Sequence, residues 1–375
     1  MKMMMPENKR NVPSLFVCSD GSEVKTAEEW VTKRRPEILE LMQREEYGFR
    51  PDMSDVSVSI RVVCERKGPK IISGRAVRKT VEVEAVRKDR HFVFTFDAFI
   101  PLNAEKPVPA FVEICNRGMM VCDPAREQLS TFYPVETILS RGYACAAFRT
   151  HEVAPDYEEG FVTGFHRLFP EYVENRPDDA WGTLTIWAWA ASRVMDYFEM
   201  EPMIDEKRVA VVGHSRGGKT SVLCAALDER FAMAVTSCSG CSGDAISRGK
   251  TGESIGQILD RFPFWFCKNY QKYIGRETEM PFDQHFMISL IAPRLLYTNT
   301  RTNDAWADPV SEYESLVQAS PVWELFGKKG IEQQEMSLPE VALHEGCIGH
   351  HHKTGEHNMD DYDWDLYMDF ADKHM

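Results

Sequence analysis

The sequence predicts an α/β protein whose mainly parallel sheet carries helices on both faces. Short apolar runs, typical of strands buried on both faces, alternate with helical segments over most of the chain. Three runs of alternating apolar and polar residues precede them and predict an antiparallel meander with one solvated face. We find no boundary that splits the 375 residues, so we expect one domain over residues 1–375, with residues 1–26 forming a loosely ordered extension.

The elements follow in order along the chain. Helical spacing of apolar residues predicts an amphipathic helix over Ala27–Tyr47. The meander comes next, followed by buried strands alternating with helices and by a last helix near the carboxyl terminus. The predicted strands are Val56–Cys64, Arg75–Val86, His91–Phe99, Val108–Cys115, Ala144–Phe148, Val209–Val212, Met233–Ser237 and Leu295–Asn299, and the later helices are Asp179–Phe198, Ser221–Leu227 and Tyr362–His374.

Charge and composition exclude some classes of partner. The net charge of −14 disfavours nucleic acid and anionic membranes, because neither is attracted by the overall field. The first ten residues lack the apolar core of a signal peptide, and no run approaches the length of a membrane span. We therefore expect a cytoplasmic protein with reduced cysteines. Cys238 and Cys241 form a lone CxxC pair, so neither a metal nor another cofactor is predicted, and the oligomeric state stays open.

The junction after Val209–Val212 carries the clearest chemical motif. Gly213-His-Ser-Arg-Gly217 follows an apolar strand and precedes a helix, which is the nucleophile elbow of the α/β-hydrolase fold. Glycines two residues on either side of Ser215 avoid collisions between a Cβ and the neighbouring strand and helix. The turn directs the Ser215 hydroxyl towards free N–H groups at the helix start, where an oxyanion can be held. We therefore predict Ser215 as a nucleophile.

An acid and a histidine must complete such a site, because a serine hydroxyl needs a base and the base needs an orienting acid. In this fold both follow the serine, each after a later strand. Asp304 stands in the segment leaving the strand Leu295–Asn299 and is the favoured acid. Asp308 is the alternative, although its place before Pro309 also fits a turn or a helix cap.

The favoured base is His357, because it precedes the last helix, where the catalytic histidine of this fold is expected. His352 is the main alternative. His91 and His285 lie in strand-like or apolar surroundings that predict structural roles. The run His350–His352 resembles a metal cluster, but three consecutive residues of a regular element cannot all face one ion.

Several segments together resemble the glucuronoyl esterases, carbohydrate esterase family 15. The segment Gly213–Lys219 is similar to the Gly-Cys-Ser-Arg-x-Gly-Lys signature of that family, and Ser-Arg-x-Gly-Lys is far more specific than the elbow alone. The resemblance covers nearly the whole chain. The other segments that carry it are Trp30–Pro51, Thr236–Gly243, Arg261–Phe266, Asp283–His285, Ala292–Arg294, Asp304–Pro309, Gly355–His357 and Tyr362–Trp364.

The resemblance implies a role for individual positions. Ser215 matches the nucleophile and His357 the base, while Arg216 matches an arginine that stabilises the oxyanion. The sugar-binding positions that it implies are Lys219, Glu253 and Trp306.

The chain departs from the fungal pattern at two positions. Fungal members carry their triad glutamate where this chain has Cys238, and a thiol cannot serve as the orienting carboxylate. Some bacterial members use an aspartate after the later strand, which returns the choice of acid to Asp304. Arg261 replaces a sugar-binding glutamate, so the glycan preference does not carry over.

The predicted function is that of a serine carboxylesterase, free of metal and cofactor, which hydrolyses esters of glucuronic or 4-O-methyl-glucuronic acid through an acyl-enzyme. The substrate would be a small-molecule or oligosaccharide uronate ester. A carbohydrate acetyl- or broad acyl-esterase is the alternative within enzymes. A non-catalytic glycan-binding relative is the alternative outside them, and the presence of Ser215, His357 and a candidate acid disfavours it.

Overall fold

Among the residues that the structure describes, ten strands form one sheet. The computed structural model describes residues 9–68, 71–158 and 163–375. The strands lie in the spatial order β1-β2-β3-β5-β4-β6-β7-β8-β10-β9. Their bounds are β1 Val56–Arg66, β2 Ala76–Arg87, β3 Arg90–Pro101, β4 Val108–Cys115, β5 Ala144–Arg149, β6 Ile204–His214, β7 Met233–Ser237, β8 Leu295–Arg301, β9 Ala342–Leu343 and β10 Ile348–Lys353.

Strand direction divides the sheet into a meander and a parallel portion. β1, β2 and β3 pair antiparallel in sequence, and β3 pairs antiparallel with β5. From β5 through β4, β6, β7, β8 and β10 every pair is parallel, and short β9 closes the edge antiparallel. The predicted meander and the parallel core are both confirmed.

Helices cover both faces of this sheet. Their bounds are α1 Ala27–Glu29, α2 Arg35–Met42, α3 Val135–Ser140, α4 Thr150–Val153, α5 Pro170–Glu174, α6 Thr183–Met200, α7 Arg216–Leu227, α8 Ile255–Arg261, α9 Gln284–Ser289, α10 Pro309–Ala319, α11 Pro321–Leu325 and α12 Asp361–His374. Single 3₁₀ turns or short 3₁₀ helices occupy Ile72–Gly74, Phe165–Leu168, Pro263–Trp265, Lys268–Tyr273 and Glu277–Glu279.

Two apolar cores flank the sheet, one on each face. α6 and α7 contribute buried side chains such as Trp187 and Val222 to the larger core. α3 and α12 contribute Ile138 and Trp364 to the core on the opposite face. Each core removes large aromatic and aliphatic surfaces from water, which is the main favourable term for a layered fold.

The predicted helix Ala27–Tyr47 is continuous but not uniform. Two π-helical segments, Trp30–Arg34 and Gln43–Tyr47, interrupt the α-helical geometry. A π-segment widens the turn locally, so apolar spacing alone does not reveal it. The helix ends at Gly48, whose φ of 82° favours glycine.

Helix α6 begins at Thr183 rather than at the predicted Asp179. Three of the four preceding residues instead form backbone hydrogen bonds with residues 47–49, at the end of the first helical segment. Trp181 N–H donates to the Phe49 carbonyl and Gly182 N–H to the Tyr47 carbonyl, both at 3.0 Å. These tertiary bonds satisfy the backbone outside the helix and delay its start.

Residues 9–26 differ from the loosely ordered extension that the sequence predicted over residues 1–26; residues 1–8 lie outside the described ranges. Leu15, Phe16 and Val24 are buried in the larger core. The Leu15 carbonyl accepts a 2.8 Å hydrogen bond from Arg34 Nε. The sequence does not reveal this packing, because the buried apolar residues are separated by polar ones and follow neither a helical nor a strand period.

The carboxyl ends of β6, β7, β8 and β10 lie along one edge of the parallel portion. Ligand sites of open α/β sheets form beyond these strand ends. All ten cysteines lie in the described ranges as free thiols. Within those ranges, no helix combines the length and the apolar character needed to cross a bilayer.

Candidate active site

Ser215 lies in a tight turn between β6 and α7. Its φ of 57° and ψ of −121° fall in a region that is costly for a residue with a side chain. A Cβ at Gly213 would lie 2.1 Å from the Gly217 carbonyl oxygen, and one at Gly217 would lie 2.9 Å from that of Ile114. Both glycines are therefore sterically required. The Ser215 N–H donates to the Ser237 carbonyl at 2.7 Å, which fixes the turn to β7.

His357 and Asp304 meet across two loops. His357 lies between β10 and α12, and its Nδ1 is 2.6 Å from Asp304 Oδ2. The Asp304 side chain is 4% exposed and that of His357 is 39% exposed. A buried carboxylate that accepts from Nδ1–H leaves Nε2 as a proton acceptor. The pair thus has the arrangement that a serine hydrolase needs in its base and acid.

His214 packs against His357. The two ring centroids are 4.5 Å apart, and His214 Nδ1 is 3.0 Å from the Ser237 hydroxyl. His214 is fully buried, and this burial, followed by the nearby His357, lowers its pKa well below the ordinary range. It therefore stays neutral and presents an uncharged face to the ring of His357.

The two alternative residues, Asp308 and His352, are engaged elsewhere. Asp308 is the N-cap of α10 and accepts hydrogen bonds from the Ser311 N–H at 3.2 Å and the Ser311 hydroxyl at 2.6 Å. His352 lies inside β10, where its Nδ1 is 2.7 Å from the Thr300 hydroxyl. The capping role that the sequence allowed for Asp308 is therefore present in the structure.

One cleft of about 310 Å³ brings together all seven predicted site residues. Its volume lies at the lower end of the range for small-molecule sites, roughly 300–1,000 Å³. The predicted residues in its lining are Ser215, Arg216, Lys219, Glu253, Asp304, Trp306 and His357, and the other lining residues are Cys238, Ser239, Gly240, Arg261, Phe262, Trp265 and Ala307.

The Arg216 guanidinium is held in place from two sides. It forms an ion pair with Asp156, and it lies 4.8 Å from the ring centroid of Trp265. Trp265 Nε1 donates to the same Asp156 carboxylate at 2.7 Å. Phe262 and Trp265 stack with ring centroids 3.9 Å apart, which makes one wall of the cleft flat and aromatic. A positive charge is thereby fixed beside Ser215.

The three predicted sugar-binding residues differ in environment. Lys219 is buried, and its ammonium donates to the carbonyls of Ser239 and Cys241. Glu253 is 8% exposed, while Trp306 is 45% exposed at the rim. The Glu253 N–H donates to the Trp306 carbonyl at 2.9 Å, so the backbone links these two residues.

Cys238 directly follows β7 and lies beside the His357–Asp304 pair. Its Sγ, a carboxylate oxygen of Asp304 and a ring nitrogen of His357 lie within 4.8 Å of one another. Burial raises the pKa of the thiol well above its ordinary value, and the nearby Glu312 and Asp304 add to this effect. A neutral thiol therefore lies beside the His357–Asp304 pair.

Sequence reasoning assigned no role to Asp156, Trp265 or His214. Asp156 follows α4 in an irregular segment and reaches Arg216 only through the tertiary fold. Trp265 lies in the segment Arg261–Phe266 that carried the family resemblance, which was the one available signal for it. His214 was visible in the elbow motif, but its contact with His357 depends on a loop 143 residues further along the chain.

Comparison with known protein sequences places this chain in a family. A family model described as "Glucuronyl esterase, fungi" matches residues 83–327. A carbohydrate esterase from an unknown prokaryotic organism is 32% identical, and the alignment covers 98% of this chain and 90% of that protein. A 4-O-methyl-glucuronoyl methylesterase of Podospora anserina is 26% identical over 85% of this chain and 61% of that protein.

Solved structures agree over the whole length. A glucuronoyl esterase from Solibacter usitatus superposes with a TM-score of 0.90 at 34% identity and covers 98% of both chains. A promiscuous esterase of carbohydrate esterase family 15 from a marine bacterial metagenome gives a TM-score of 0.88 at 30% identity, with 99% of this chain and 98% of that chain covered. The chain belongs to the glucuronoyl esterases of carbohydrate esterase family 15.

Proposed function

We propose that the protein hydrolyses esters of glucuronic or 4-O-methyl-glucuronic acid, with Ser215, His357 and Asp304 as its catalytic triad. The observation that carries this proposal is the 2.6 Å contact between His357 Nδ1 and Asp304 in the cleft that Ser215 also lines. Membership of the family supports the ester class. Relatives named 4-O-methyl-glucuronoyl methylesterases support the acyl group.

The reaction proceeds in two halves. His357 Nε2 takes the proton of the Ser215 hydroxyl, whose oxygen attacks the ester carbonyl, and His357 then gives that proton to the departing alcohol. Asp304 holds the ring in the required tautomer and stabilises the imidazolium that forms. In the second half His357 Nε2 takes a proton from water, whose oxygen attacks the uronoyl-enzyme carbonyl. His357 then returns that proton to the departing Ser215 oxygen as the free uronic acid is released.

The oxyanion is held at the start of α7. The Arg216 N–H lies in the first turn, where backbone donors have no partner within the helix. The Arg216 side chain adds a fixed positive charge, oriented by Asp156 and Trp265. A single donor of this kind contributes roughly 2–4 kcal/mol to stabilisation of the transition state.

The rest of the cleft suits a sugar ring. Lys219 and Glu253 offer a donor and an acceptor for hydroxyl groups, and Trp306 offers an apolar surface for C–H groups. Lys219 is oriented by two backbone carbonyls, so its ammonium does not depend on the substrate for its position. We assign these three residues to recognition of the uronic acid.

A panel of esters tests both the chemistry and the acyl group. Turnover of methyl and benzyl glucuronates is compared with turnover of acetylated sugars, and Ser215→Ala provides the blank. We expect the glucuronates to be preferred and the variant to lose at least roughly 10⁴-fold in kcat.

The outcomes separate the competing functions. Full activity of Ser215→Ala contradicts the nucleophile assignment. Preference for acetylated sugars identifies a broader acyl-esterase. No turnover of any ester, together with measurable sugar binding, identifies a glycan-binding protein.

A further inference from the structure

We propose that Cys238, Asp304 and His357 form an inhibitory binding site for a thiophilic divalent cation such as Zn²⁺. A thiol, a carboxylate and an imidazole offer one atom each, and these atoms lie within 4.8 Å of one another. Zn²⁺ binds such a mixed set of sulfur, oxygen and nitrogen donors, whereas Mg²⁺ and Ca²⁺ prefer oxygen ligands alone. The inhibitory role rests on the proposed function of His357, whereas cation binding itself does not.

The geometry needs only a small adjustment. Tetrahedral Zn²⁺ with bond lengths near 2.0–2.3 Å separates its ligand atoms by about 3.5 Å. The three donors can therefore converge on an ion after shifts of roughly 1 Å. Asp304 and Cys238 are almost fully buried, while His357 is 39% exposed and lines the cleft, which gives the ion a path from solvent.

The charges balance when the cation binds. The Cys238 thiol releases its proton to solvent, and its sulfur bonds to the metal as a thiolate. Together with the Asp304 carboxylate this supplies two negative ligands to a doubly charged ion. A water molecule would complete the tetrahedral coordination of the ion.

A bound cation blocks the proposed reaction whichever ring nitrogen of His357 it coordinates. Coordination at Nδ1 replaces the hydrogen bond to Asp304, which orients the base. Coordination at Nε2 occupies the lone pair that accepts the Ser215 proton. In both cases His357 cannot act as a general base, so occupancy and hydrolysis exclude each other.

The presence of Cys238 makes this chain sensitive to such ions. A carboxylate at that position would leave an oxygen-rich pair around His357, and oxygen ligands hold Zn²⁺ less strongly than thiolate does. Asn299 Nδ2, at 3.9 Å from Sγ, makes only a weak contact with the thiol. The sulfur is therefore available for coordination.

Inhibition by Zn²⁺ is measured on the wild type, Cys238→Ala and a matched cysteine control, Cys64→Ala. Cys64 lies on the edge strand β1, six strands from β7, and is partly exposed. We expect reversible inhibition that EDTA relieves, with a midpoint concentration raised by roughly tenfold or more in Cys238→Ala and unchanged in Cys64→Ala. Equal sensitivity of the wild type and Cys238→Ala overturns the proposal.

Binding is measured separately from turnover with Co²⁺ and the Ser215→Ala protein. We expect a thiolate-to-cobalt charge-transfer absorption that disappears in Ser215→Ala/Cys238→Ser and persists in Ser215→Ala/Cys64→Ala. Circular dichroism verifies that each variant is folded, and Cys238→Ser keeps a side chain of similar size. Absence of the absorption in Ser215→Ala overturns the proposal even if the esterase assignment holds. Its presence supports the site even if glucuronates prove not to be substrates.

Discussion

At the residue scale, the proposed chemistry depends on which carboxylate accepts the hydrogen bond from His357 Nδ1–H. Asp304 accepts it at 2.6 Å, whereas Asp308 caps α10. We expect Asp304→Asn to lower kcat by about 10³–10⁴-fold, because an amide favours the wrong tautomer of the base. Initial rates on a methyl glucuronate give the comparison.

The neighbouring aspartate provides the matched control for this experiment. Asp308→Asn keeps a capping side chain and should change kcat only a few-fold, with a stability loss of about 1 kcal/mol or less. The opposite pattern, a silent Asp304→Asn and an inactive Asp308→Asn, would transfer the role of acid to Asp308.

Residues differ in how far their roles can be read from sequence. Ser215 is visible because its glycines and flanking strand are local, and Asp304 is visible because it follows a recognisable strand. Asp156 carries no such mark, since its contact with Arg216 spans 60 residues. The partners of Cys238 are equally invisible, because they come from two later loops.

At the element scale, the β6–α7 turn leaves no room for a side chain at Gly213. We expect Gly213→Ala to abolish measurable esterase activity and to lower the free energy of unfolding by about 1–3 kcal/mol or more, since the new Cβ would lie 2.1 Å from the Gly217 carbonyl. Esterase rates and thermal unfolding measure the two effects.

Gly118→Ala is the control for the added methyl group. A Cβ at Gly118 has nothing within 4 Å, so activity and melting temperature should match those of the wild type. A Gly213→Ala protein that is as active as Gly118→Ala would show that the elbow can relax.

Elements were predictable where period and length agree. Val108–Cys115 and Met233–Ser237 were predicted with the bounds that the structure shows, because buried parallel strands are short continuous apolar runs. β10 was not among the predicted strands, since three histidines fill its centre. Each finds a partner across the sheet or from α12, for example His351 Nε2 with Asp363 at 2.7 Å. Tertiary hydrogen bonds here outweigh a polar composition.

At the scale of the whole molecule, buried ionisable groups set the dependence of stability on pH. Burial lowers the pKa of His285 from 6.5 to about 4, so the native state stays neutral while the unfolded state takes up a proton. Stability is therefore lost as the pH falls from 6.5 towards 4. Other buried histidines with lowered pKa values act in the same direction, namely His166, His214, His350 and His351.

Buried acids act on the alkaline side. Burial raises the pKa of Glu46 from 4.5 to about 8, so the native state keeps a proton that the unfolded state releases. This contribution is fully present below pH 4.5 and is lost as the pH rises to about 8. The pKa values of Glu113 and Glu312 are raised for the same reason.

We expect the melting temperature to be highest between about pH 4.5 and 6.5, where the two sets oppose each other, and to fall on both sides. Glu46→Gln should flatten the alkaline limb and His285→Gln the acidic limb, each by up to about 1.4 kcal/mol per pH unit. Thermal unfolding across pH measures both slopes. If neither variant changed the slope of melting temperature against pH, the roles given to Glu46 and His285 would be contradicted.

The strand order has a mechanical consequence for the base. His357 follows β10, which lies three strand spacings, or about 14 Å, from β6. Its ring nevertheless packs on His214 at the end of β6. The loop that carries His357 leaves β10 and returns to α12. Its two ends are held together where the Lys353 ammonium donates to the Asp360 carboxylate at 2.6 Å. The position of the His357 ring therefore depends on an ion pair whose two residues do not line the cleft.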